Sequence, residues 1–328
     1  MTIHYIKNGT EVPKVGKLFI DKIAFTVDVP EQQKKAFFNS FFNVNNNYGG
    51  YIKPKKHYRS GTQLPVNQAC NSFLYIDCDP YDPEYLFARF EFNPAKASIG
   101  EVKSCIDQIL PAGYTSLLEF GKPTRIDWTV DLKNLDIKNL LFRGGKHQIS
   151  ENYLKSGYIQ TAYLGEERRI LIYDKIAQMK KKNACNVVKE TIPNTSMTRV
   201  ESRLKLKIKD AQSLFFLDNP FQNIQLAVLP IEFTDNHGLF SLLLALARYE
   251  GYHQALYHLP KKQRAYYKQV FESQACSWWD PDMVWAGRAE ALTKIGLFKS
   301  FDEMVNDVPL TNPSGKNIHY PTGMNCSN

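Results

Sequence analysis

The sequence predicts an α+β fold, in which an antiparallel sheet with one polar face is followed by a helical C-terminal region. Between residues 18 and 208, short runs of strand length show polar and apolar side chains in alternation, the pattern of strands that are buried on one face only. From about residue 235 the apolar residues recur at helical spacing. These patterns divide the chain into a sheet-based domain (1–230), a helical region (231–310) and a disordered tail (311–328).

The first half is predicted to alternate strands with helices. Runs rich in β-branched and aromatic residues predict strands over 18–29, 73–79, 85–94 and 123–134. Apolar residues at helical spacing predict helices over 30–42, 98–111 and 135–144. The second of these helices opens with Ser98 and Glu101, which have the spacing of a capping box. Residues 43–72, rich in Asn, Gly and Lys, are predicted to form a basic loop or a mobile hairpin.

The second half begins with a predicted hairpin over 158–175 that turns near Gly165. A lysine-rich helix or loop follows, and then a strand over 197–208 in which polar and apolar residues alternate almost perfectly. In the helical region, the tryptophan-rich stretch "SWWDPDMVW" is expected to pack in a core, because three indole rings are a large apolar surface.

Composition limits the possible partners and compartment. The net charge is +8, and residues 161–210 hold twelve Lys and Arg against six Asp and Glu, which indicates an acidic partner such as nucleic acid. The six cysteines form no C-x-x-C pair, so reduced thiols are expected rather than a zinc site. With no apolar run of membrane-spanning length and no signal-like N-terminus, a cytoplasmic protein is expected.

Four predicted strands place ionisable side chains at every second position, and therefore on one face of each strand. The four sets are Arg89, Glu91, Asn93; Arg125, Asp127, Thr129, Asp131; Arg169, Leu171, Tyr173, Lys175; and Arg199, Glu201, Arg203, Lys205. If these strands share a sheet in register, one face combines several carboxylates with a phenol, a lysine and several arginines. Clustered carboxylates suit Mg²⁺ or Mn²⁺, and arginines suit phosphate. Alternatively, the charges are ordinary cross-strand pairs on a wet sheet face.

Tyr173 is the candidate nucleophile. A phenol with a pKa of about 10 is a weak nucleophile at neutral pH, but a metal-polarised phosphate would compensate if Lys175 or a carboxylate helped to remove the proton. Lys175 would otherwise stabilise charge on the phosphate. The product would be a phosphotyrosine diester. Tyr163 in the neighbouring strand is the rival nucleophile, and a simple structural role for Tyr173 is the alternative, because tyrosine is common in strands.

Three stretches in this order, "TRIDWTVD", "YLGEERRILIYDK" and "TRVESRLK", resemble the replication initiation factor family. This family comprises rolling-circle initiators of plasmids and filamentous phages, with related conjugative relaxases. The motifs match at Arg125/Asp127/Asp131, Tyr163/Gly165/Tyr173/Lys175 and Thr198/Arg199/Glu201/Lys205, and "FARFEFNPAKAS" is similar to the phage branch. The resemblance spans residues 18–210 and leaves the helical region uncovered.

The resemblance implies an antiparallel sheet backed by helices, in a nicking endonuclease and strand transferase that acts at a replication origin. It implies that Tyr173 attacks the phosphodiester, stays joined to the 5′ phosphate and frees a 3′ hydroxyl for a polymerase. The metal-binding acids would be Asp127 and Glu201, followed by Asp131 and Glu91. Better-known rolling-circle nucleases use a His-x-His strand, which this sequence lacks, so Mg²⁺ or Mn²⁺ would bind carboxylates. No G-x-x-x-x-G-K loop occurs, so unwinding would need a host helicase.

Basic side chains are the expected contacts to the origin DNA, whose nick site is expected to be single-stranded. They are Arg125, Arg169, Lys180, Lys181, Lys182, Arg199, Arg203 and Lys205. The basic, tyrosine-containing stretch 51–59 is a second candidate, and 259–269 is a third, for duplex DNA. The lysine run 180–182 is alternatively a solvated surface. Two other functions stay open: a non-catalytic single-strand nucleic-acid-binding protein, and a conjugative relaxase with the same chemistry.

Overall fold

The structure is a computed structural model that describes residues 13–67, 71–144, 150–155, 157–165, 168–185, 191–228, 237–273 and 275–297. The predicted tail over 311–328 lies outside these ranges. Within them, no helix has both the length and the apolar character needed to cross a membrane.

Strands make up most of the first two-thirds of the chain. They are β1 (Lys14–Val15), β2 (Phe19–Val27), β3 (Tyr58–Asn67), β4 (Ser72–Pro80), β5 (Ala88–Phe92), β6 (Lys122–Lys133), β7 (Leu140–Arg143), β8 (Ser150–Lys155), β9 (Tyr158–Leu164), β10 (Arg168–Asp174), β11 (Met197–Lys205) and β12 (Gln225–Val228).

Helices are inserted between the strands and then dominate the C-terminal part. They are α1 (Glu31–Asn47), α2 (Ile99–Ile109), α3 (Gly113–Phe120), α4 (Lys175–Cys185), α5 (His237–Glu250), α6 (Tyr252–Tyr257), α7 (Lys261–Ser273), α8 (Pro281–Ala286) and α9 (Arg288–Lys294), with short 3₁₀ helices at Ile137–Asn139 and Gln212–Phe216.

One large antiparallel sheet organises the described residues. Its strand order is β3-β4-β5-β2-β6-β11-β10-β9-β8, and β1 pairs with β6. β7 and β12 form a separate antiparallel pair. This architecture confirms the predicted α+β class with an antiparallel sheet and a helical C-terminal region.

The apolar face of the sheet forms the main core together with helices. Ile126, Trp128 and Val130 of β6 are fully buried, and side chains of α1, α2, α8 and α9 belong to the same cluster of buried residues. Trp285 of α8 packs edge-on against Trp128, with ring centroids 5.0 Å apart. The tryptophan-rich stretch therefore returns to the sheet, and burial of these rings stabilises the fold.

A second, smaller core lies among α5, α6 and α7. Phe240, Leu243, Tyr252 and Phe271 belong to it. The Tyr252 hydroxyl donates a hydrogen bond of 2.7 Å to the Tyr267 carbonyl. These helices thus bury apolar surface among themselves, as the helical spacing predicts.

Of the local sequence patterns, the capping box predicted the structure correctly, and two others did not. Ser98 and Glu101 form the predicted capping box, with reciprocal hydrogen bonds of 3.3 and 3.0 Å. The prediction of a basic loop or mobile hairpin over 43–72 missed β3, which forms because Thr62 and Leu64 are buried beside β4. The helix predicted over 135–144 is wrong: after one 3₁₀ turn the chain becomes β7, since alternate residues such as Leu140 and Phe142 are buried.

Replacing Trp285 tests whether α8 is part of the main core. We expect Trp285→Ala to lower the free energy of unfolding by about 3–5 kcal/mol, because it empties a site against Trp128. Met283→Ala, which changes an exposed residue of the same helix, should change it by less than about 0.5 kcal/mol. Urea denaturation measures both variants, and equal effects would contradict the packing of α8.

Candidate active site

Strand pairing places described residues from each of the four predicted sets on one face of the sheet. Opposite residues of antiparallel strands project their side chains to the same face. Arg203 lies opposite Asp127, and Leu171 lies opposite Glu201. Across β2, Ala24 lies between Arg125 and Glu91. Together these pairs define what we call the polar face.

Tyr173 lies on the polar face near the end of β10. Its hydroxyl donates a hydrogen bond of 3.2 Å to Glu201 Oε2, and Arg199 is its partner on β11. The side chain is only 5% exposed. Burial, followed by the charge of Glu201, raises the pKa of Tyr173 above its ordinary value, whereas the Arg199 charge acts to lower it. The phenol is therefore neutral at physiological pH.

Lys175 follows two residues after Tyr173, at the first position of α4. It is buried, and its ammonium donates a hydrogen bond of 2.9 Å to Gln178 Oε1. Burial, followed by the charge of Arg199, lowers the pKa of Lys175 to about 8, while Asp21 and Asp131 act in the opposite direction. This lysine is thus close to changing its charge near neutral pH.

Asp127 and Glu201 are neighbouring buried carboxylates in the centre of the polar face. Asp127 accepts two hydrogen bonds from Arg125, of 2.8 and 2.7 Å. Glu201 accepts one of 2.6 Å from Arg203 Nε. Burial raises the pKa of Asp127, Arg125 opposes the shift, and the charge of Glu201 adds to it. The two acids therefore interact electrostatically.

The other two predicted metal ligands have different surroundings. Glu91 pairs with Lys22 at 2.9 Å and with Arg89. Although burial acts to raise it, the charges of Arg89 and Lys22 hold the pKa of Glu91 below its ordinary value. Asp131 instead accepts hydrogen bonds of 2.6 and 2.9 Å from Arg199.

The carboxylates of the polar face are the residues whose fit to a divalent ion can be assessed. Among the described residues, no group of three or more His, Cys, Asp or Glu side chains is arranged to hold a metal. Mg²⁺, however, commonly binds through one or two carboxylates and completes its shell with water and substrate phosphate. Asp127 and Glu201 are two carboxylates that interact electrostatically, and each is paired with one arginine, Arg125 or Arg203. Glu91 is paired with two cations, Lys22 and Arg89, and Asp131 is paired with Arg199.

Arginines cover the acids on the polar face. Only 3% of the Glu201 side chain is exposed, compared with 38% of Arg203, and Asp127 and Arg125 show the same relation at 2% and 30%. Solvent therefore meets guanidinium groups with carboxylates beneath them. Guanidinium groups attract phosphate, and the buried carboxylates lie directly beneath these guanidinium groups.

Sequence reasoning missed Asp21 and Lys22. They join the polar face because an irregularity in β2 between Ile20 and Lys22 interrupts the alternation. Asp21 lies 3.2 Å from Arg199. Two consecutive charged residues within an apolar strand were the available signal.

The remaining predicted residues lie farther out. Lys180, Lys181 and Lys182 are exposed on α4, and Lys205 is exposed at the end of β11. Arg169 occupies β10, and its side chain lies outside the described part of the structure. Tyr163 lies opposite Leu171, which separates it from Glu201, and its ring is 5.6 Å from that of Tyr153. Tyr173 is hydrogen-bonded to Glu201, one of the two central acids.

The lowered pKa of Lys175 predicts a specific titration. Because its folded value of about 8 lies below the unfolded value of about 10.4, the stability contributed by this group rises as the pH increases between them. Side-chain NMR, with the resonance assigned through Lys175→Met, should give a midpoint near 8. A midpoint near 10.4 would show that the ammonium is solvated.

Comparisons with known proteins show similarity at the level of structure but not of sequence. No protein-family model matches the chain, and no curated protein sequence matches it. Among solved structures, the chain is similar to a rolling circle replication initiator protein from Geobacillus stearothermophilus. The identity is 14%, the alignment covers 68% of this chain and 90% of the other, and the TM-score is 0.35.

Proposed function

We propose that this protein is a metal-dependent DNA-nicking and strand-transfer endonuclease that initiates rolling-circle replication, with Tyr173 as its nucleophile. The observation that carries the proposal is the hydrogen bond from the Tyr173 hydroxyl to Glu201, within a face where arginines cover buried acids. A phenol, a proton acceptor and phosphate-binding cations are the groups that such a reaction needs.

In the proposed step, the Tyr173 oxygen attacks the phosphorus of the scissile phosphodiester. A bond forms between that oxygen and phosphorus, the bond from phosphorus to the 3′ oxygen breaks, and the phenolic proton passes to Glu201, 3.2 Å away. The positive charge of Arg199 favours the developing phenolate. Lys175, still mainly protonated at pH 7, stabilises phosphate charge or protonates the departing 3′ oxygen.

Asp127 and Glu201 would hold Mg²⁺ or Mn²⁺, with water and DNA phosphate completing the shell. The ion would polarise the phosphate and neutralise its charge. This role requires Arg125 and Arg203 to release the carboxylates, and incoming phosphates offer them alternative partners.

The substrate proposed is origin DNA with a single-stranded nick site. In this proposal Arg203, which shares Glu201 with Tyr173, contacts a phosphate near the nucleophile, and Arg125 and the exposed lysines 180–182 of α4 contact phosphates farther along the strand. The freed 3′ hydroxyl would prime a host polymerase while a host helicase unwinds the duplex. We propose that the protein acts in the cytoplasm. The same chemistry serves a phage or plasmid origin and a conjugative transfer origin.

A second candidate function is non-catalytic binding of single-stranded nucleic acid. It is favoured by the burial of Tyr173 and by its raised pKa, both of which oppose attack by the phenol. The two functions differ in whether a covalent product forms, so that product is the feature to test.

Nicking of a supercoiled plasmid that carries the cognate origin tests the nucleophile. With Mg²⁺ or Mn²⁺, we expect an open circle with protein on the 5′ end, and peptide mapping should place the link at Tyr173. Tyr173→Phe should reduce nicking at least about 1,000-fold, since a covalent step loses its nucleophile, yet bind DNA normally. Tyr163→Phe is the matched control. Attachment at Tyr163, or no adduct with wild type, would contradict the proposal.

Metal binding distinguishes the central acids from the outer ones. We expect Asp127→Asn and Glu201→Gln each to weaken Mn²⁺ binding about tenfold or more in calorimetry with an uncleavable DNA strand. Glu91→Gln should leave Mn²⁺ affinity within about twofold, because Glu91 is held by two cations, Lys22 and Arg89, whereas Asp127 and Glu201 are each held by one arginine. Equal losses in all three variants would show that the ion sits elsewhere on the polar face.

A further inference from the structure

Aromatic and basic side chains gather at one corner of the sheet, where β3 begins and β4 ends. The rings of His57 and Tyr85 stack with centroids 4.8 Å apart and planes 22° apart. The Arg59 guanidinium lies over the ring of Tyr81, 5.6 Å from its centroid. Tyr81 is 53% exposed and Tyr85 is 41% exposed, so aromatic surface faces solvent where cores would normally bury it.

Backbone hydrogen bonds hold this corner together. The Tyr81 amide donates to the His57 carbonyl at 3.1 Å, which fixes the loop after β4 against the segment before β3. That segment is itself tied back, because Lys53 and Gly61 exchange hydrogen bonds of 2.9 Å in both directions. The rings are therefore presented by an ordered backbone, and a planar ligand would meet a preformed surface.

The corner continues the polar face that carries Tyr173. Arg59 pairs with Asp79 at 3.0 Å, and two residues earlier on the same face of β4, Asp77 pairs with Arg89 at 3.4 Å. Arg89 pairs with Glu91, whose Oε2 lies 3.9 Å from Arg125. A row of ion pairs thus leads from the central acids to the aromatic corner, and in each pair the arginine is more exposed than its acid.

The charge of the corner is too nearly balanced to make it a strong phosphate-binding surface. Its cations are Lys53, Lys55, Lys56 and Arg59, and its acids are Asp79, Asp82 and Glu84. The balance is only slightly positive, so attraction for phosphate is modest there. The rings are the distinctive feature, and stacking on them suits unpaired bases of any sequence.

We propose that Tyr81, Tyr85 and His57 form a base-stacking site for single-stranded DNA, remote from Tyr173 and joined to it by the row of arginines. The identification of the ligand as DNA rests on the proposed function. Unpaired bases stack on the exposed rings, Arg59 and Lys56 contact phosphates, and the strand then follows Arg89 and Arg125 toward the nucleophile.

Fluorescence anisotropy with an oligo-dT of about 20 nucleotides tests this site without requiring cleavage. The double variant Tyr81→Ala/Tyr85→Ala should bind the strand about 10- to 100-fold more weakly, since each stacked base contributes strongly to affinity. Tyr81→Phe/Tyr85→Phe should bind within about twofold of wild type, because the ring is retained. Tyr249→Ala, an exposed tyrosine on α5, is the matched control and should have no effect.

The salt dependence separates stacking from phosphate contact. The alanine double variant should keep the wild-type slope of log affinity against log salt, whereas Lys56→Gln should make it shallower. Unchanged oligo-dT binding by the alanine variant, or equal losses in the alanine and phenylalanine variants, would overturn the proposal. Tighter binding of oligo-rU than of oligo-dT would overturn the choice of DNA. Tyr173→Phe should bind oligo-dT normally, because this site lies away from the nucleophile. The binding experiment therefore tests the stacking site independently of the nicking proposal.

Discussion

Burying carboxylates on a sheet face is the constraint on which the rest of this structure depends. An isolated buried carboxylate is strongly disfavoured unless it is paired and hydrogen-bonded. Here Asp127 is satisfied by Arg125, and Glu201 by Arg203 and the Tyr173 hydroxyl. These ion pairs hold the carboxylates beneath a layer of arginines. A DNA strand whose phosphates bind the arginines would therefore also expose the carboxylates. Under the proposed function, one set of contacts would couple substrate binding to exposure of the acids.

The two faces of the sheet have different surroundings. The apolar face packs against early and late helices: residues of α1, α2, α8 and α9 share its core, and Trp285 of α8 contacts Trp128. Antiparallel pairing then fixes which strands are neighbours, so that residues far apart in sequence, such as Glu91 and Arg125, approach each other across β2. A rigid sheet is a suitable support for a site whose groups must hold their positions.

Sequence alternation predicted which residues of each strand share a face, and that part of the site could be read without a structure. Strand order could not, because pairing between distant strands leaves no local signal. Alternation also places Arg125 and Asp127, which are two residues apart on one strand, next to each other on the same face. In the structure these two side chains pair with each other. Acids assigned to a metal and arginines assigned to DNA therefore hold each other. Lys22 was missed because the irregularity in β2 changes its face.

The central claim is that a DNA phosphate can take over the arginines and reach Tyr173. The most direct test is a crystal structure of the Tyr173→Phe variant with an uncleaved nick-site oligonucleotide and Mn²⁺. The account predicts a phosphate beside residue 173, with Arg125 and Arg203 turned from their carboxylates toward the strand. DNA bound only to the helical C-terminal region, with both arginine–carboxylate pairs intact and no phosphate near residue 173, would contradict it.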